Sequence, residues 1–167
     1  MATKTPLLLI LNDERSTQQL AEVIAKTVIE KDLRSIVLSG DLGAGKTTLT
    51  QFIAAALGST AKVSSPTFML EKVYAAPQFK IVHMDLYRVG HTQEIEMTIK
   101  DYFEDPQTIV VAEWADEYAA MRLPLSLHVA LEADALSDTS RSAQLLVPEH
   151  LRDYVIALLN TFPELHA

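Results

Sequence analysis

Gly40-Asp41-Leu42-Gly43-Ala44-Gly45-Lys46-Thr47 fits the spacing G-x-x-x-x-G-K-[S/T]. The short β-branched run Ser35–Ser39 (SIVLS) precedes it, and a helical pattern from Thr47 to Leu57 follows, with Gly58 placed to stop it. A strand that turns through glycines straight into a helix restricts the chain to α/β architectures with a central parallel sheet. The spacing also has a chemical meaning. Glycines let successive backbone N–H groups face an anion with no Cβ in the way, and the helix directs its positive end at the same point. In such a loop Lys46 reaches the β- and γ-phosphates of a nucleotide, and the Thr47 hydroxyl takes one position on Mg²⁺. Leu42, Gly43, Ala44, Gly45, Lys46, Thr47 and Thr48 are therefore the candidate nucleotide-binding positions.

The rest of the chain continues the alternation. Leu7–Leu11 reads as a first strand, and a helix follows whose buried stripe is Leu20, Val23, Ile24 and Thr27–Val28, with Asn12 or Ser16 as its cap. Phe68–Tyr74 and Phe79–Asp85 read as a hairpin, residues 92–104 as one or two short helices, and Thr108–Ala112 as a strand buried on both faces. Leu125–Leu131 and Ala143–Val147 form a second expected hairpin, and a last amphipathic helix opens at Pro148 and Glu149. The expectation is one domain over residues 1–167, a P-loop fold whose mixed, mostly parallel sheet is flanked by helices and β-hairpins.

Composition narrows the function. The 167 residues contain no cysteine, which excludes disulfides, thiolate metal sites and cysteine nucleophiles. The run Leu7–Leu11 is too short to span a bilayer, so a cytoplasmic protein with no membrane partner is expected. A net charge of −8 disfavours autonomous binding of nucleic acid, whose affinity comes largely from basic surface.

A P-loop needs an acid to hold its metal, usually at the end of a neighbouring buried strand. Asp85 ends one apolar run and Glu113 another, and these residues alone do not rank the two. No Asn-Lys-x-Asp stretch is present to read guanine, which favours ATP. The six arginines are scattered, unlike the arginine-rich lid of a small-molecule kinase. His83 reads as a hydrogen-bonded structural histidine, because one His beside one Asp makes a poor metal site.

Further motifs follow in order: Ser65-Pro66-Thr67-Phe68, His83-Met84-Asp85-Leu86-Tyr87-Arg88, Lys100-Asp101-Tyr102-Phe103 and Val111-Ala112-Glu113-Trp114. With the glycine loop, this series resembles the bacterial TsaE (YjeE) family, the small ATPase of tRNA threonylcarbamoyladenosine biosynthesis. The resemblance covers about residues 7–147. It implies ATP hydrolysis with Mg²⁺, in support of the two-protein threonylcarbamoyl transferase complex, with tRNA involved only indirectly. Residue by residue, it implies that Glu113 is the Mg²⁺-binding glutamate beside Thr47. It makes Asp85 an aspartate needed for hydrolysis and Thr67 a switch-like threonine sensing the γ-phosphate. Glu14 and Arg141 match positions on the adenine side, and Trp114 matches the tryptophan beside the glutamate. Met69 and Thr98 depart from the usual pattern, and the segment between Arg88 and Asp101 is one residue short. Two rival readings stand beside this one: a small-molecule P-loop kinase, and a nucleotide-gated binding module in which hydrolysis only resets a complex.

Overall fold

In the computed structural model, which describes residues 5–66, 69–87, 89, 92–113 and 126–165, the apolar run before the glycine loop lies mid-sheet. This strand, β2 (Ser35–Ser39), pairs in parallel with β5 (Thr108–Glu113) on one side and β6 (Ser126–Ala133) on the other. The other strands are β1 (Leu7–Leu11), β3 (Glu71–Ala75), β4 (Lys80–Asp85) and β7 (Arg141–Leu146). The seven-stranded order is β1-β7-β6-β2-β5-β4-β3. Only β7 and β3 run against the rest, through the antiparallel pairings β6·β7, β1·β7 and β3·β4. The two expected hairpins are β3–β4 and β6–β7.

Side chains alternate across the sheet with period two, and this splits the core. Ile36, Leu38, Ile109, Val111, Leu127 and Val129 face a layer built from α1 (Glu14–Lys31), α2 (Lys46–Ala56) and α4 (Arg152–Leu159). That layer contributes Leu20, Ile24, Val28, Leu49, Ile53, Val155 and Leu159. Val37, Val82, Met84, Val110 and Ala112 face the other way, against Ile95 and Ile99 of α3 (Gln93–Tyr102). Every residue of β5 is buried, as its unbroken apolar run requires. Each fully buried aliphatic side chain contributes roughly 1.5–3 kcal/mol.

The helix starts follow local chemistry. Asp13 caps α1, accepting from the Ser16 backbone N–H and hydroxyl, both at 2.8 Å. This corrects the expected cap: Ser16 is the donor, and Asn12 is not involved. Thr92 caps α3 by accepting the Ile95 N–H at 3.2 Å. The last helix is preceded by a 3₁₀ turn at Glu149–Leu151. No described helix is long and apolar enough to cross a membrane.

Candidate functional site

Strands β2, β5 and β4 are mutually parallel, so their carboxyl ends share one edge, the usual ligand edge of such sheets. The glycine loop leaves β2 there. Gly40, Gly43 and Gly45 hold φ of +136°, +81° and +106°, a region that L side chains avoid. A Cβ on Gly40 would stand 2.2 Å from the Leu131 carbonyl oxygen of β6. The loop ends at α2, which starts at Gly45 with no side-chain cap, unlike α1 and α3. The backbone N–H groups of its first turn are therefore left for an anion. Lys46 is buried, and its Nζ donates to the carbonyls of Gly40 at 2.6 Å and Asp41 at 2.9 Å, which places its charge over the loop.

Glu113, the last residue of β5, is only 2% exposed. A carboxylate so buried needs donors. Thr47 Oγ1 lies 3.3 Å from Glu113 Oε1, His83 Nε2 lies 3.1 Å from it, and Thr50 Oγ1 lies 3.4 Å from it. Asp85 ends β4 in direct register with Glu113. Asp85 is half-buried and held differently: Oδ1 accepts the Tyr87 N–H at 3.1 Å, and Oδ2 accepts from Ser65 Oγ at 3.4 Å.

Two cavities flank the loop. The larger, about 790 Å³, is lined by Leu42, Gly43, Gly45, Lys46, Thr47, Thr48, Asp85, Glu113 and Arg141, with Ser65, Pro66, Met69, Leu70, Tyr87 and Val89 as its outer wall. The smaller, about 220 Å³, brings Glu14 and Arg141 together with Ala44, Gly45 and Thr48. Arg141 bridges the two. Its Nε donates to the Ala44 carbonyl at 3.1 Å and its Nη1 to the Ser140 carbonyl at 2.8 Å. All the sequence-derived positions with described coordinates thus gather around one loop. Thr67, Arg88 and Trp114 lie outside the described residues.

The chain as a whole is similar to known proteins. The family model described as "Threonylcarbamoyl adenosine biosynthesis protein TsaE" matches residues 11–143. The chain belongs to the TsaE family. The tRNA threonylcarbamoyladenosine biosynthesis protein TsaE of Haemophilus influenzae is 35% identical over 149 residues, covering 86% of this chain and 88% of that protein. Its Rickettsia felis counterpart is 34% identical, covering 75% of this chain and 72% of that protein. Among solved structures, Bacillus subtilis YdiB matches with a TM-score of 0.72 at 25% identity, covering 96% of this chain and 98% of that one.

Two residues of this candidate site were not assigned from sequence, Thr50 and Ser65, and neither was the contact of His83 with Glu113. Thr50 carried a usable signal, since it lies one helical turn after Lys46 and Thr47 on the same face. His83 lies two residues before Asp85 and so shares its sheet face. Ser65 sits in a loop far from Asp85 in sequence, and only the folded chain joins them.

Proposed function

We propose that this chain is a Mg²⁺-dependent ATPase that serves tRNA threonylcarbamoyladenosine biosynthesis by acting on the two-protein threonylcarbamoyl transferase complex. The observation that carries the reading is the pairing of Thr47 with Glu113 at 3.3 Å, inside a cleft that also holds Lys46 and the uncapped start of α2. This donor set suits magnesium. Mg²⁺ prefers oxygen ligands, and it typically takes one or two carboxylates plus the phosphates of its substrate. Consistently, the described residues contain no group of three or more His, Asp or Glu able to cage a metal unaided. When bound, the ion supplies positive charge to the β- and γ-phosphates.

The remaining work falls to the chain. Lys46 turns from the loop carbonyls toward the phosphates. The first-turn amides of α2 hold them in place. Glu113 and Thr47 hold the metal. Asp85 orients the attacking water or takes its proton, and its fixed contacts through Tyr87 and Ser65 set the carboxylate's angle. Glu14 and Arg141 flank the base, and Thr67 reports the γ-phosphate. Hydrolysis is slow until the partner complex completes the site.

The test is phosphate release from ATP by the pure chain, with and without Mg²⁺, then with the transferase complex added. A low, Mg²⁺-dependent rate that rises on mixing is expected. A rate indifferent to the complex would sink the assigned role, and a phosphorylated metabolite in place of free phosphate would reinstate the kinase reading. Asp85→Ala separates hydrolysis from gating: complex formation with loss of tRNA modification is expected, and continued modification would favour the gated module.

A further inference from the structure

His83 is fully buried in the middle of a sheet, on a β4 position that an aliphatic residue would fill at no polar cost. Its Nε2 stands 3.1 Å from Glu113 Oε1, whereas its Nδ1 is buried and finds no hydrogen-bond partner among the described residues. That pattern favours a proton on Nε2. With the proton on Nε2, the ring donates to the carboxylate and only an acceptor is orphaned. With the proton on Nδ1, a buried N–H would be stranded and two lone pairs would face each other across 3.1 Å. A side chain that leaves one ring nitrogen unsatisfied to place the other on a carboxylate is poorly explained by packing.

The other donors to Glu113 are weaker or otherwise engaged. Thr50 has a single hydroxyl proton, and its 2.9 Å contact to the Lys46 carbonyl is shorter than its 3.4 Å contact to Glu113. Thr47 lies at 3.3 Å and is itself assigned to the cation. Among the described residues, the side-chain hydrogen bonds of Glu113 all fall on Oε1, and Glu113 lines the cleft. Oε1 is thus held by β4 and α2 together, and Oε2 is the oxygen left to address a ligand.

We infer that His83 is a positioning residue: its Nε2–H fixes the Glu113 carboxylate so that one oxygen is presented to the metal of a bound metal–nucleotide. The inference rests on the metal-ligand role given to Glu113 above. Partners that orient a metal ligand from behind typically matter 10–100-fold in metal affinity.

The test uses the full-length chain, with Mn²⁺ as the probe ion in the presence of ADP, followed by electron paramagnetic resonance. ADP affinity without metal and thermal unfolding are measured in parallel. His83→Leu is expected to weaken Mn²⁺ binding about 10–100-fold while leaving metal-free ADP binding and folding intact. His83→Gln, whose amide N–H reaches the depth of Nε2, restores most of the loss. His83→Asn reaches only the depth of Nδ1 and does not. Unchanged Mn²⁺ affinity in His83→Leu overturns the inference. So does a loss that His83→Gln fails to restore, or one shared equally by metal-free ADP. Glu113→Gln is the reference. If it leaves Mn²⁺ binding intact, the metal role of Glu113 itself falls; if it weakens binding while His83→Leu does not, only the positioning role falls.

Discussion

Glu113 and Asp85 end adjacent parallel strands in direct register, yet the fold treats them as opposites. Glu113 is buried, and its neighbours come from two other elements, α2 and β4. Asp85 is half-buried, and is held by the backbone two residues on and by one serine of the loop after α2. A group that must offer one fixed oxygen to a cation benefits from rigid scaffolding on its far side. A group that handles a water needs solvent access and open lone pairs. On the roles proposed above, the difference separates binding from turnover, and mutation can expose it.

The largest effect is expected from Glu113→Gln. Phosphate release should fall about 10³-fold, with Mn²⁺·ADP affinity falling alongside, because a site that stabilises developing charge loses its cation. Asp85→Asn should lower phosphate release about 10²-fold while Mn²⁺·ADP affinity holds, the signature of a group engaged at the reacting water. Parallel losses in both variants and both assays would erase the distinction. Thr50→Val removes the hydroxyl bond to the Lys46 carbonyl. It should cost about 1 kcal/mol in denaturant unfolding, with little change in Mn²⁺ affinity if His83 dominates the hold on Glu113.

The smallest effect concerns the opposite end of β5. The Asp105 carboxyl is held below its ordinary value, chiefly by the Gln107 backbone N–H and then by the Thr108 hydroxyl. A depressed carboxylate contributes stability that is present above the unfolded pKa and lost as pH falls through the folded one. Asp105→Asn should therefore flatten the acid limb of the stability curve below about pH 4 and leave Mn²⁺·ADP binding unchanged. At the alkaline end the sign reverses. The Tyr102 hydroxyl, pushed up to about 12 first by burial and then by Glu71, stabilises the fold fully below pH ~10. That contribution disappears as pH rises through the folded value. Tyr102→Phe should flatten this limb, as read by thermal unfolding across the alkaline range.

Much of this was legible in the residues because it depends on short spacings. The glycine loop, β1, β2, the individual strands of the two hairpins and the acids at strand ends all announce themselves within ten residues or fewer. Asp13 was missed as a cap because Asn12, Asp13 and Ser16 all carry capping chemistry, and the choice rests on where the backbone leaves the extended region. The strand order, which sets β6 and not β1 beside β2, is a long-range outcome that no local pattern encodes. The His83–Glu113 contact depends on that order too, since it requires β4 beside β5 in one particular register. His83 could be read as buried and bonded, but its partner became visible only in the sheet.

The close approach of Gly40 to Leu131, with Arg141 braced on Ala44, has a consequence for how the chain is made. The strands that shape the loop leave the ribosome roughly a hundred residues after the motif itself. At ordinary translation rates that is a delay of about 5–20 s. A nascent chain halted before Ser126 carries the whole glycine motif without the wall it rests on. Nucleotide capture should therefore wait until β6 and β7 have been made, coupling the first binding event to closure of the sheet around the loop.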